Sequence, residues 1–168
     1  MLKIALSVSE LNFGKLMSVY QESNQENAFA FYDAIDRNLA MLNAEQDFYQ
    51  YLNEVFFTAE RAVYAIWEEG ERYVSALRLE PYQDGFLLEA LETAPDDRRR
   101  GYATALIHAA CYWLAVQGCG KIYSHVSKDN TASLKAHAAC GFHVICDYAE
   151  YIDGTIKNTA YTLCLTNT

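Results

Sequence analysis

The 168-residue sequence has no long apolar run, no C-x-x-C pair, no H-E-x-x-H helix and no G-x-G-x-x-G loop. Each absence removes a class of protein. Without roughly 18–20 consecutive apolar residues a helix does not span a bilayer, so no membrane partner is expected. The five cysteines, Cys111, Cys119, Cys140, Cys146 and Cys164, are irregularly spaced. They offer neither a zinc site nor a dithiol redox pair, and they read as reduced, mostly buried small hydrophobes. No metal is expected. Lacking the glycine-rich fingerprint, a Rossmann dinucleotide fold is a poor fit. Only Pro81 and Pro95 punctuate the chain, and there is no repeat or linker, so residues 1–168 are expected to form one domain. The first residues, MLKIALSVSELNF, turn polar too early for a signal peptide. The expected location is the cytoplasm.

Basic residues are scarce as well. Thirteen Lys and Arg stand against 22 Asp and Glu, for a net charge of −9. The deficit is uneven: residues 1–93 carry 16 acidic and 6 basic side chains, whereas residues 94–168 carry 6 and 7. An acidic half repels a phosphate backbone, which argues against a nucleic-acid partner, and it suits a cationic small molecule. Solubility alone is the plainer use of such charge.

What is present is a mixed α/β pattern. Lys3–Ser7 reads as a strand, and Glu10 to about Phe57 is helical in character with a break near Ser23–Asn27. Phe48, Tyr51, Leu52 and Val55 follow the spacing of a buried helix face. AVYAIW (62–67) and RYVSALRL (72–79) form a hairpin about Glu69-Gly70, and GFLLEALET (85–93) is a further, apolar strand. A helix from about Arg100 to Gln117 follows, with Ala103, Leu106, Ile107, Ala110, Trp113 and Leu114 on one face. KIYSHV (121–126) is a strand, Asn130 caps a helix over 131–139, and segments 142–147 and 159–165 close the chain as an antiparallel pair. Only the strand–helix–strand unit 85–126 implies parallel pairing. The expected fold is a mixed, mostly antiparallel central sheet with helices on both faces, a three-layer αβα arrangement.

Three consecutive arginines, Arg98, Arg99 and Arg100, stand just ahead of the 100–117 helix. Helix N-termini attract anions, because their first amides lack intrahelical acceptors and the dipole there is positive. Cations at that end cost about 0.3–1 kcal/mol each at low salt, so the run reads as half of an anion site. Asp96 and Asp97 offset part of the charge. A merely solvated charge run is the alternative. Gly101 would let a ligand approach the backbone, and Ala103 keeps the first turn slim.

R98-R-R-G101-Y-A103 matches the R/Q-x-x-G-x-G/A signature of the GNAT superfamily of N-acetyltransferases. Twenty-seven residues beyond Ala103, N130-T-A-S133-L-K-A-H137-A-A-C-G141-F142 resembles that superfamily's N-x-x-A/S-x-x-x-Y-x-x-x-G-F segment. The resemblance covers the chain from about Val63 onward and implies an acetyl-CoA-dependent N-acetyltransferase. Its backbone from Arg98 through Arg99, Arg100, Gly101 and Tyr102 to Ala103 would cradle the CoA pyrophosphate. Leu91–Thr93 (including Glu92) would flank the pantetheine arm, with Asn130 and Ser133 facing it. The variable region, residues 1–60, would build the acceptor side, and residues 61–168 the acyl-CoA-binding core. The acceptor would be a primary amine on a small molecule or a peptide lysine, and a homodimer is left open.

His137 stands where the superfamily often has the tyrosine assigned as the acid that protonates the leaving thiolate. Histidine can deliver a proton, with an ordinary pKa near ~6.5. A Ser133–His137 nucleophile pair lacks an orienting acid. Attack on a thioester needs a neutral amine, hence a base. Glu89 and Glu92 lie in the apolar strand beside the expected thioester, three residues apart and so on opposite faces unless a bulge intervenes. Glu89, deeper in the run, is the first choice; a structural pairing with Arg78 is its alternative. Tyr82 is a candidate pocket wall. The departure at His137 keeps a second class open, a non-catalytic acyl-CoA-binding or interaction module.

Overall fold

A computed structural model describes residues 1–167. The strands are β1 (Leu2–Ala5), β2 (Val63–Glu69), β3 (Arg72–Tyr82), β4 (Gly85–Thr93), β5 (Lys121–Ser127), β6 (His143–Cys146), β7 (Ala149–Glu150), β8 (Ile156–Lys157) and β9 (Ala160–Thr166). The helices are α1 (Phe13–Val19), α2 (Gln21–Phe31), α3 (Arg37–Glu54), α4 (Tyr102–Val116) and α5 (Thr131–Ala139). Seven strands form one sheet in the order β1-β2-β3-β4-β5-β9-β6, and β7 and β8 pair separately. Every neighbour in the large sheet is antiparallel except β4 and β5.

Alternation along the strands divides the apolar side chains between two layers. Val63, Leu77, Leu79, Phe86, Leu88 and Ile122 pack against Leu106, Ile107, Ala110 and Leu114 of α4. Tyr64, Ile66, Tyr73 and Ala76 pack on the other face against Leu16 and Val19 of α1, together with Leu52 and Phe56. The expected three-layer mixed fold is the observed one.

The differences from expectation are local. The segment Ser23–Asn27 lies inside α2; the interruptions fall instead at Tyr20 and between Phe31 and Arg37. Asp36 there accepts hydrogen bonds from the amides of Asn38 and Leu39 and caps α3. Val55 ends α3 rather than joining its buried face, and it is exposed. The connection around Asp153-Gly154 carries the β7–β8 pair.

Two features of the sheet position the site. At Gly85, an added Cβ would lie 2.1 Å from the Lys121 carbonyl oxygen, so only glycine lets β4 approach β5 this closely. The two strands then share three parallel rungs, Phe86–Leu88 with Ile122–Ser124, and no more. Beyond Leu88 the strands part.

Candidate active site

Past those rungs β4 runs on toward the N-terminal ends of α4 and α5, where Leu91–Thr93 meet Tyr102–Thr104 and Asn130. A cavity of about 720 Å³ lies there, lined by residues from β4, the loop ahead of α4, and α5. Ten of the sequence-derived site residues meet on it: Leu91, Glu92, Thr93, Arg98, Arg99, Gly101, Tyr102, Ala103, the α5 cap Asn130, and Ser133. Three do not line it: Glu89, Arg100 and His137.

The two helix ends differ. Asn130 caps α5, its side-chain oxygen accepting from the Ser133 amide at 3.0 Å. Helix α4 begins after Gly101, which has φ +83° and supplies no side-chain cap. The first hydrogen bond there runs from Ala105 N–H to the Gly101 carbonyl at 2.9 Å, so the preceding amides have no intrahelical acceptor. An open helix end beside arginine side chains is a built site for a phosphate-bearing ligand. Space around Gly101 is clear: an added Cβ would meet nothing within 4 Å. The residues therefore fit CoA, with the loop and the α4 amides for its pyrophosphate and the β4–β5 gap for its arm.

The three arginines divide their work. Arg98 pairs with Glu22 of α2 at 2.6 Å and donates to the Thr93 carbonyl at 3.2 Å. Arg100 pairs with Asp97 at 2.6 Å and lies over the Tyr102 ring. Asp97 is buried and also holds Arg72 of β3 at 2.9 Å, so it clamps the loop to the sheet. Arg99, in left-handed backbone at φ +61°, makes no ion pair among the described residues and faces the cavity. Such a conformation costs a non-glycine residue about 1–3 kcal/mol.

Glu89 and Glu92 share a face. Arg78 pairs with Glu89 and Ala76 with Glu92, so Leu77 of β3 stands opposite two residues of β4, Ala90 and Leu91. The extra residue forms a bulge that contains Ala90 at φ +49°. The expectation of opposite faces is thereby corrected. The Tyr20 hydroxyl donates to the Ala90 carbonyl at 2.7 Å, and the Ser23 hydroxyl donates to the Glu92 carboxylate. Helices α1 and α2 are thus pinned over the bulge. Burial pushes the Glu92 carboxyl above the ordinary range, opposed by Ser23 and Arg98.

Glu89 is occupied. Its carboxylate sits 2.9 Å from the Arg78 guanidinium, both half-buried or more. Burial, then the Glu89 charge, pushes neighbouring Glu80 up to about 7. Tyr51 and Phe56 cover the Arg78 guanidinium at 4.9 and 5.4 Å from their ring centres.

His137 is 1% exposed. Its Nδ1–H donates to the Ser133 carbonyl at 2.8 Å, because a carbonyl can only accept. Its Nε2 is buried without a hydrogen-bond partner among the described residues, and the ring packs edge-on against Phe142. Burial lowers its proton affinity, with the Ser133 bond acting the other way. At neutral pH the ring is therefore neutral, with its one proton already engaged. The Ser133 hydroxyl lies 3.3 Å from Nδ1, on the nitrogen that the carbonyl occupies.

Sequence reasoning did not single out Thr104, Ala132, Lys135 or Ala136, which also line the cavity. Lys135 was findable as a cation in the second turn of a capped helix facing an expected phosphate. Tyr82 lines none of the cavities described: it is buried, packs edge-on against His125 and donates to the Glu150 carbonyl at 2.7 Å. All five cysteines are free. Burial pushes Cys111 up to about 12 and Cys140 to about 11, so neither is a ready thiolate. Among the described residues no group of three or more His, Cys, Asp or Glu could hold a metal ion, and no helix is long and apolar enough to cross a membrane.

A mixed sheet with one parallel pair, and an open helix end with arginines beside the cavity, is an α/β fold with a candidate anion site. A sequence profile described as "Acetyltransferase (GNAT) family" matches residues 15–142, and the chain belongs to that family. An aminoglycoside N(6')-acetyltransferase type 1 of Klebsiella aerogenes is 40% identical over 55 residues, which are 33% of this chain and 36% of that enzyme. The chain spans less than half the length of the curated relatives it matches. The fold is that of the PaiA N-acetyltransferase from Thermoplasma acidophilum, solved with coenzyme A, at TM-score 0.65, 12% identity and 99% coverage of both chains. It also resembles the spermidine N-acetyltransferase from Vibrio cholerae, solved with CoA and spermine, at TM-score 0.61 and 17% identity over 98% and 95% of the two chains.

Proposed function

We propose that this chain transfers an acetyl group from acetyl-CoA directly to a primary amine of a small cationic molecule. One observation carries the reading. The uncapped N-terminus of α4, Arg98 and Arg99 open onto the same cavity as Leu91–Thr93, the part of β4 beyond its last rung with β5. The α4 amides and Arg99 would bind the pyrophosphate, Lys135 would add charge, and Leu91–Thr93 would align the pantetheine arm by backbone hydrogen bonds. Fixing the thioester beside the amine supplies most of the rate, since orientation alone can contribute about 7–11 kcal/mol.

Residues 1–60 would shape the acceptor side and residues 61–168 hold the donor. The acidic first half, with Glu22 and Glu92 close to the cavity, supports a cationic acceptor. Aminoglycoside and spermidine acetyltransferases are among the similar proteins; a peptide lysine is the further acceptor to include. Glu92, and Glu89 tied to Arg78, would set the negative charge around the reacting groups. We assign His137 to the packing of α5 rather than to thiolate protonation. Five free thiols suit a reducing compartment, and the reading takes the cytoplasm as its site of action. A homodimer is part of the reading, to be checked by sedimentation.

The test is release of free thiol from acetyl-CoA across a panel of polyamines, aminoglycosides and lysine peptides, with calorimetry of acetyl-CoA binding. Amine-dependent thiol release supports the enzyme. Binding without release on any amine supports a non-catalytic acyl-CoA-binding module, which the histidine at position 137 favours.

A further inference from the structure

His125 is the one histidine whose two ring nitrogens are both buried and without a hydrogen-bond partner among the described residues. It follows Ser124, the last residue of β5 that pairs with β4. On β5, Ile122 and Val126 belong to the α4-facing core, whereas Tyr123 packs with Tyr82 and Leu87 on the opposite face. Alternation puts His125 with Tyr123. The same argument puts Glu89 with Leu87. His125 and Glu89 therefore occupy the same face at the first positions past the last shared rung, one on each side of the gap.

The His125 ring is held by aromatic edges rather than by hydrogen bonds. Tyr82 of β3 packs at 5.5 Å and 88°, and Tyr151, after β7, at 5.0 Å and 62°. Tyr82 is anchored through its hydroxyl to the Glu150 carbonyl, and the Lys157 ammonium of β8 lies over the Tyr151 ring, 4.9 Å from its centre. A second cavity of about 540 Å³ borders this stack. Glu80 and Pro81, just before Tyr82, and Ile152, just after Tyr151, line it with Glu60 and Arg61. Its two carboxylates, Glu60 and Glu80, with Arg61 beside them, suit an ammonium-bearing molecule.

We propose that His125 is the group that takes the proton from the acceptor amine, which enters through the cavity walled by Glu60 and Glu80. This rests on the acetyl-transfer reading above. The acceptor ammonium gives one proton to a ring nitrogen of His125. The freed lone pair forms the C–N bond at the thioester carbonyl carbon. The C–S bond breaks with its electron pair on sulfur, and the nitrogen's surplus proton ends on that sulfur as the CoA thiol. His125 returns its proton to water. Burial alone lowers the proton affinity of His125, so the ring is neutral at pH 7 and able to accept. Glu89 is a weaker candidate because Arg78 occupies its carboxylate at 2.9 Å.

The experiment measures steady-state thiol release and acetyl-CoA calorimetry on the full chain and on His125→Gln and His125→Ala, using an amine that the wild-type chain turns over. The groups on the face of His125 are Tyr82 and, two residues before it, Glu80 from β3, Glu89 from β4, and Tyr151 with Lys157. Of these, the two carboxylates could mimic the histidine's titration, Glu80 above all because its carboxyl is pushed up to about 7, so Glu80→Gln and Glu89→Gln are run in parallel. Expected are a kcat loss of about 100-fold or more, KM for acetyl-CoA and calorimetric affinity within about twofold, loss of the acidic limb of the pH–rate profile, and partial rescue of His125→Ala by added imidazole. A variant that binds acetyl-CoA normally and keeps both kcat within threefold and the acidic limb overturns the proposal and leaves acetyl transfer standing. If the limb is lost in Glu80→Gln or Glu89→Gln and kept in the His125 variants, the proton goes to that carboxylate and the proposal falls. If wild-type chain binds acetyl-CoA but turns over no amine, the acetyl-transfer reading itself fails, and the His125 role with it.

Discussion

Gly101 and Arg99 hold adjacent turns of the anion loop in left-handed backbone, at φ +83° and +61°, but for different reasons. Glycine is there because no side chain adopts that conformation freely. Replacing it with alanine strains the backbone by about 1–2 kcal/mol, although nothing blocks the added Cβ. Gly101→Ala is expected to lower Tm and weaken acetyl-CoA binding by about tenfold, measured by scanning and titration calorimetry. Arg99, facing the cavity without an ion-pair partner among the described residues, is expected to behave otherwise. Arg99→Ala should weaken acetyl-CoA binding while leaving Tm unchanged or raised, and the loss should shrink at high salt. At this scale the sequence was legible where chemistry is local: three arginines, a glycine and a slim alanine before a helix pointed to an anion site. Which arginine is available was not legible, because Glu22 and Asp97 engage the other two across 76 and 3 residues of chain.

The elements α5 and β4 show how far a pattern carries. The capped helix 131–139 was readable from Asn130 and Gly141, yet its motif histidine turned inward against Phe142. A buried, unpartnered imidazole resists protonation, so its effect on stability has a definite sign. Above its ordinary pKa of about 6.5 the folded and unfolded states are both neutral there. Below it the unfolded chain takes up a proton that the fold refuses, and stability falls with acidity. His137→Leu should flatten that acid loss in urea denaturation, while thiol release changes by less than about threefold. In β4 the alternation was clear and the bulge was not, since no residue between Glu89 and Glu92 signals one. Gly85 marks the other end of the strand. Gly85→Ala would put a Cβ 2.1 Å from the Lys121 carbonyl oxygen; the expected cost is about 1–3 kcal/mol, or more, read as a lower urea midpoint.

For the whole molecule, ligand and pH act on the same stability. Acetyl-CoA at about 100 times its Kd should add about 2.7 kcal/mol, or about 5–10 °C in Tm for a chain of this size; no shift would count against the site. Glu80 works in the sense opposite to His137. Its folded carboxyl titrates at about 7 instead of 4.5, so the fold binds a proton that the unfolded chain has lost. Its contribution therefore declines as pH rises from about 4.5 to 7, and Glu80→Gln should remove that decline from a Tm-against-pH series. The sequence by itself determined the three-layer mixed fold, the single parallel crossover and the arginine-glycine loop ahead of α4, because each rests on periodicity, capping and short-range charge. Tertiary structure decided what depends on residues distant in the chain: the splay of β4 from β5, the bulge that brings Glu89 and Glu92 to one face, and the placement of His125 at the gap and His137 in the core. A side chain's type is written locally, whereas its partners, its burial and hence its proton affinity come from strands and helices that meet only when the chain folds.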